Sequence, residues 1–195
     1  MPQKAEKEPD VEGKRKKISY ELIKQDSMAG RPMYAMLDDL VEEHHDEITN
    51  ARIALAWALS WKPDVDGHVK LGQMKKASDL DRELHPFDFV CLLNAEWWQD
   101  GRVVDAQRRA LLDHELCHAT VKLDEDGEPA RDSKDRVVYR LRKHDIEEFS
   151  EIVARHGCYK RDLETFAAAL RRAPKQASLL EPQPPAAPRH HDATH

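Results

Sequence analysis

The chain has 195 residues, 40% of them hydrophobic, and carries 31 Lys and Arg against 37 Asp and Glu for a formal net charge of -6. That balance excludes a globally basic nucleic-acid binder, and the lack of any run of about 18 apolar residues excludes a transmembrane helix. The polar start "MPQKAEKEPDVEGKRKK" reads as no secretory signal, and the widely spaced Cys91, Cys117 and Cys158 read as reduced thiols, so the expected location is cytoplasmic.

Residues 1–17 hold no apolar cluster and read as a tail. Their run Lys14-Arg15-Lys16-Lys17 is the stretch that could touch nucleic acid, but four charges are more simply a solvated patch. One domain is expected over residues 18–172. Pro32 suits a first helical turn. Met33, Met36, Leu37, Leu40 and Val41 recur at helical spacing, and Ile48, Ala51, Leu55, Ala58 and Leu59 continue the stripe. This predicts one long helix, or two with a break near His44. His44 and His45 fall in its acidic middle and are expected on a solvated face. "KPDVDGH" is punctuation; its Asp64–Gly67 stretch lacks the later ligands and closing Glu of a calcium loop. Val69 and Leu71 give a weak strand signal, and "DLDRELH" gives a short helical turn. Phe87–Asn94 is the best strand, expected at a sheet edge beside the helix that follows.

That helix is predicted from "VVDAQRRALLDHELCHATVKL", with Asp105 as a good N-cap. It contains His114-Glu115-Leu116-Cys117-His118, a His-Glu-x-x-His pattern. Chance supplies roughly 0.05 such matches in a chain of this composition, so context must carry the reading. In a helical register His114 and His118 share a face one turn apart. Leu111, Leu112, Leu116, Cys117 and Ala119 make the helix apolar around most of its circumference, so it is expected to be buried. Two buried imidazoles and a carboxylate would cost several kcal/mol without strong partners, an objection that a metal ion removes. Catalytic zinc takes three protein ligands and leaves a position for water. Glu115, to the side of the His pair, is placed to take a proton from zinc-activated water. The third ligand must lie downstream, among His144, Glu147, Glu148 and His156. His144 is favoured because it precedes a helix with an apolar stripe, and Glu148 is the main rival. Cys117 faces another side of the helix.

After a polar connection with an Asp-Gly turn, "RVVYRLRKH" alternates as a strand. "DIEEFSEIVARHG" reads as a helix ended by Gly157. "KRDLETFAAALRR" reads as a last helix packing through Leu163, Phe166, Ala167 and Leu170. Residues 173–195, rich in proline and ending in His190, His191 and His195, read as a disordered tail.

"FDFVCLLNAEWW", "ALLDHELCHA" and "KHDIEEF", taken together, resemble the phage metallopeptidase family over about residues 30–160. That family is similar in turn to the SprT-like zinc proteases, in which a segment downstream of the His-Glu-x-x-His motif donates a third His. The resemblance implies an α+β minimal zincin, with helices packed on a small mixed sheet. It also implies Zn2+ held by His114, His118 and His144, catalysis by Glu115, and a protein or peptide substrate, with a phage or prophage source. A second class stays open: a zinc-containing accessory protein of phage DNA processing or anti-host function with little hydrolysis. Glu115 separates the two, since a purely structural site needs no Glu between its His ligands.

Overall fold

The computed structural model describes residues 19–173. The Lys14–Lys17 run and the terminal segment with His190, His191 and His195 lie outside the described residues. The elements are β1 (Ser19–Leu22), α1 (Gly30–His44), β2 (Ile53–Leu59), β3 (Gly72–Lys76), α2 (Asp79–Leu84) and β4 (Phe89–Asn94). They are followed by α3 (Ala95–Gln99), α4 (Asp105–Leu116), β5 (Ala119–Val121), β6 (Tyr139–Leu141), α5 (Ser150–His156) and α6 (Arg161–Arg172). This is an α+β architecture: a four-stranded mixed sheet in the order β1-β2-β4-β3, a separate β5-β6 pair, and helices around them. No helix of the described residues is long and apolar enough to cross a membrane.

The sheet is organised by β2 and β4, which run parallel with Leu55 opposite Cys91 and Trp57 opposite Leu93. Every residue from Ile53 to Ala58 is buried. Here the helical stripe expected to reach Leu59 is corrected. The helix stops at His44, a 3-10 turn covers Asp46–Ile48, and "IALAWAL" is an inner strand. A short apolar run buried on both faces has no periodicity that separates strand from helix.

The strand expected over Phe87–Asn94 forms as β4, but not at an edge. It pairs with β2 on one side and antiparallel with β3 on the other, Gly72 opposite Leu93 and Met74 opposite Cys91. Its residues are too apolar for an edge, and the polar β3 takes that position instead.

Leu112 and Leu116, one turn apart on α4, are fully buried in the core with Leu55, Phe89 and Leu93. Each such side chain contributes about 1.5–3 kcal/mol and together they fix the rotation of α4. The tail of α6 departs from expectation: Leu163 is buried, but Phe166 and Leu170 are exposed. The helix expected from Asp145 begins only at Ser150, and Gly157 ends it at φ 67°.

The chain between β5 and β6 is folded by two similar turns. Asp124 Oδ1 accepts from the amides of Asp126 and Glu128, and Asp132 Oδ1 accepts from those of Lys134 and Arg136. Side-chain turns of this kind order polar loops locally. An ionic cluster then fastens this region to the sheet. Asp88, just before β4, is buried and sits 2.9 Å from Arg82 and 3.1 Å from Arg52, while Arg136 bonds both Asp132 and Glu83. Burial opposes the Asp88 charge. Hydrogen bonds from the Arg52 side chain and backbone, with the Arg52 and Arg82 charges, outweigh it and hold the carboxyl below its ordinary range.

Because Asp88→Asn takes from the buried Arg82 guanidinium its nearer counter-charge and leaves it Asp132 at 3.8 Å, it is expected to cost about 3 kcal/mol of stability at neutral pH. Urea unfolding measures this. The depressed pKa means the Asp88 contribution is present above the unfolded carboxylate range and is lost as pH falls through the folded value. The gap between parent and variant should therefore close in acid.

Candidate metal centre

α4 delivers the first half of the site. His114 and Glu115 lie in its last turn, and the α-helix ends at Leu116. The motif was expected wholly on the helix. Instead the His118 amide donates to the Glu115 carbonyl at 3.1 Å, tightening the last turn, and Ala119 starts β5. His118 still falls beside His114, with ring centroids 5.2 Å apart and planes at 83°.

The β5-β6 pair delivers the rest. Ala119 pairs with Leu141 and Val121 with Tyr139. One step further along, the Arg142 amide donates to the His118 carbonyl at 2.8 Å. His144 follows two residues later, its Nε2 3.1 Å from His114 Nε2 and its ring 4.5 Å from that of His118. One nitrogen from each of His114, His118 and His144 lies within 4.8 Å of the other two. Ligand atoms about 2.0 Å from a tetrahedral ion sit roughly 3.3 Å apart, so three neutral imidazoles so arranged suit a divalent metal. His118 Nδ1 is 2.7 Å from the Arg142 carbonyl. Donation from Nδ1–H there leaves Nε2 as the free lone pair, the usual way an outer partner orients a ligand.

The imidazoles are less buried than the sequence suggested. His114 and His144 are exposed and His118 is half-buried. Burial, then the neighbouring charges of His118 and His144, lowers the His114 pKa. The three rings line an open cleft of about 690 Å³ with Gly72, Gln73, Met74, Glu115, Leu141 and Glu147.

Glu115 is the buried member, 4% exposed. Its Oε2 has no hydrogen-bond partner among the described residues. Burial raises its pKa, against the opposing effects of His118, a backbone hydrogen bond from Met74, and Lys70. Its neighbour explains how it fits: a Cβ built at Gly72 would lie 2.4 Å from Glu115 Oε1 and 2.7 Å from its Cδ. Gly72 was missed in the sequence, where a glycine inside a strand pattern marks close approach of another group but does not say which.

The other candidates part company. Glu148 accepts from Tyr159 and pairs with Lys160 at 2.7 Å. Those two partners, with the Phe149 amide, hold its carboxyl at about 2. His156 is the last residue of α5. Asp64, Asp66 and His68 form an exposed turn in which Asp64 Oδ1 accepts from both other amides. His45, expected in solvent, is buried and its Nε2 lies 2.7 Å from Asp113 Oδ1. His44 is exposed.

A family model described as "Putative phage metallopeptidase" matches residues 26–171. No curated protein and no solved structure matches the chain.

Gly72→Ala is expected to force Glu115 out of its position and to destabilise the fold by about 1–3 kcal/mol, the usual cost of overpacking. Thermal unfolding tests the stability, and a structure of the variant tests the displacement. An unchanged melting temperature with Glu115 in place would remove the steric role given to Gly72.

Proposed function

The chain belongs to the phage metallopeptidase family, and on that premise we propose that it is a zinc-dependent peptidase whose ion is held by His114, His118 and His144. Glu115 is its general base. The observation that carries the reading is the Glu115 carboxylate: a buried acid with an oxygen unpartnered among the described residues, beside three clustered imidazoles. A site that only stabilised the fold would gain nothing from that group, which costs free energy to bury.

A zinc ion there would supply Lewis-acid polarisation of a peptide carbonyl and make water more acidic. The residues do the rest. The Arg142 carbonyl fixes the His118 tautomer. The Met74 amide holds the Glu115 carboxylate against the edge of β3. Glu115, made more basic by burial, takes the proton of the attacking water and returns it to the leaving amine. An extended substrate would lie in the cleft between β3 and the Leu141–His144 segment, with β3 rather than β4 offering a strand edge. A helix-end His-Glu-x-x-His next to an edge strand, with a third His downstream, is in keeping with the SprT-like, minimal-zincin reading. Glu148 is committed to Tyr159 and Lys160, which favours His144 as third ligand.

Metal analysis should find a tightly held zinc equivalent, about one per chain. His144→Ala should weaken its binding at least about 100-fold, beyond what loss of an outer partner costs, while Glu148→Ala should leave it nearly intact. The reverse result would move the third ligand to Glu148.

Glu115→Gln should keep zinc and fold but lower peptide hydrolysis by at least about 100-fold. A broad protease assay checks this. Equal cleavage by parent and variant would assign the activity to another site, and a zinc-loaded parent without hydrolysis would favour the accessory-protein reading.

A further inference from the structure

Asp113 and Cys117 stand one helical turn apart, interleaved with His114 and His118 but directed to a different partner. His45, at the end of α1, reaches them. Its Nε2 lies 2.7 Å from Asp113 Oδ1, and one donor atom from each of His45, Asp113 and Cys117 falls within 4.8 Å of the other two. The His45 side chain is 9% exposed, whereas Asp113 is partly exposed and Cys117 is open to solvent. The set is thus closed on the side of α1 and open on the other. A His–Asp hydrogen bond accounts for two of these residues and gives no part to the thiol. Imidazole, carboxylate and thiolate together are a donor set for ions of zinc character.

We propose that His45, Asp113 and Cys117 form a second metal site, taking a thiophilic divalent ion of the zinc class with solvent in its remaining position. The proton balance is simple. The Cys117 thiol gives its proton to solvent and binds as thiolate. His45 moves its ring proton to Nδ1, so that Nε2 presents a lone pair. Asp113 exchanges the hydrogen bond it accepts for the ion. Occupancy joins the end of α1 to the last turn of α4. The site does not depend on the three-His cluster being catalytic.

Cobalt titration of the metal-stripped full chain tests this. A thiolate-to-cobalt charge-transfer band requires a sulfur ligand, which the three-His set lacks, and the terminal histidines cannot supply it. The band should appear in the parent and saturate with about one thiolate-bound ion per chain. It should vanish in Cys117→Ser, weaken at least about tenfold in apparent affinity in His45→Gln, and persist in Cys158→Ser. Circular dichroism checks that each variant is folded. Absence of the band in the parent at saturating cobalt, or its survival in Cys117→Ser, would overturn the proposal. Should Cys117→Ser fail to fold, alkylation of the parent decides instead: cadmium should protect Cys117, and unhindered alkylation at saturating cadmium overturns the site.

Discussion

Two hydrogen bonds join His118 to Arg142, backbone to backbone at 2.8 Å and His118 Nδ1 to the Arg142 carbonyl at 2.7 Å. They continue the β5-β6 ladder by one pair, and through them a segment 24 residues downstream is held against the end of α4. Closing a flexible loop of that length costs about 3 kcal/mol in chain entropy before any contact rewards it. The two Asp-based turns reduce the cost by ordering the connection locally. The Asp88, Arg82 and Arg136 contacts and the packing of Tyr139 on Phe89, with ring centroids 5.2 Å apart, then dock it on the main sheet. Without that closure His144 has no reason to approach His114.

The same geometry divides the site into a rigid half and an open half. Leu112 and Leu116 anchor α4 in the core, so Glu115 between them is carried into the protein and under β3. The histidines line the same cleft on its more exposed side. His114 and His144 look into the cleft, where a ligand or substrate can reach them. A buried carboxylate next to accessible imidazoles is costly for folding, and its burial makes the acid more basic. The fold tolerates it through the absence of a side chain at Gly72 and the amide of Met74.

Charge fastens the fold in two places. Around Asp88 it is structural: several guanidinium and carboxylate groups in mutual contact, with Asp88 kept ionised by its arginines. At the end of α5 a smaller set does similar work, since Lys160 and Tyr159 hold Glu148 away from the cleft. That commitment leaves imidazoles as the clustered donors beside Glu115.

Much was legible from residue order alone. The His-Glu-x-x-His motif, the helix that leads into it, the apolar β4 segment, the short helix "DLDREL" and Gly157 as a helix stop are all local patterns. They are set by propensity, spacing and backbone conformation within a few residues. That His144 would come beside His114 and His118 was also expected from sequence, through its place before a helix and a family resemblance. Other features were not legible. "IALAWAL" became a strand because its neighbours bury it on both faces. β4 became an inner strand because β3 covered its other side. His45 left the solvent because Asp113, 68 residues away, faces it. Gly72 acquired its role only when Glu115 arrived beside it. In each case the deciding energy is a contact between residues far apart in the chain, and such contacts exist only once the tertiary structure has closed.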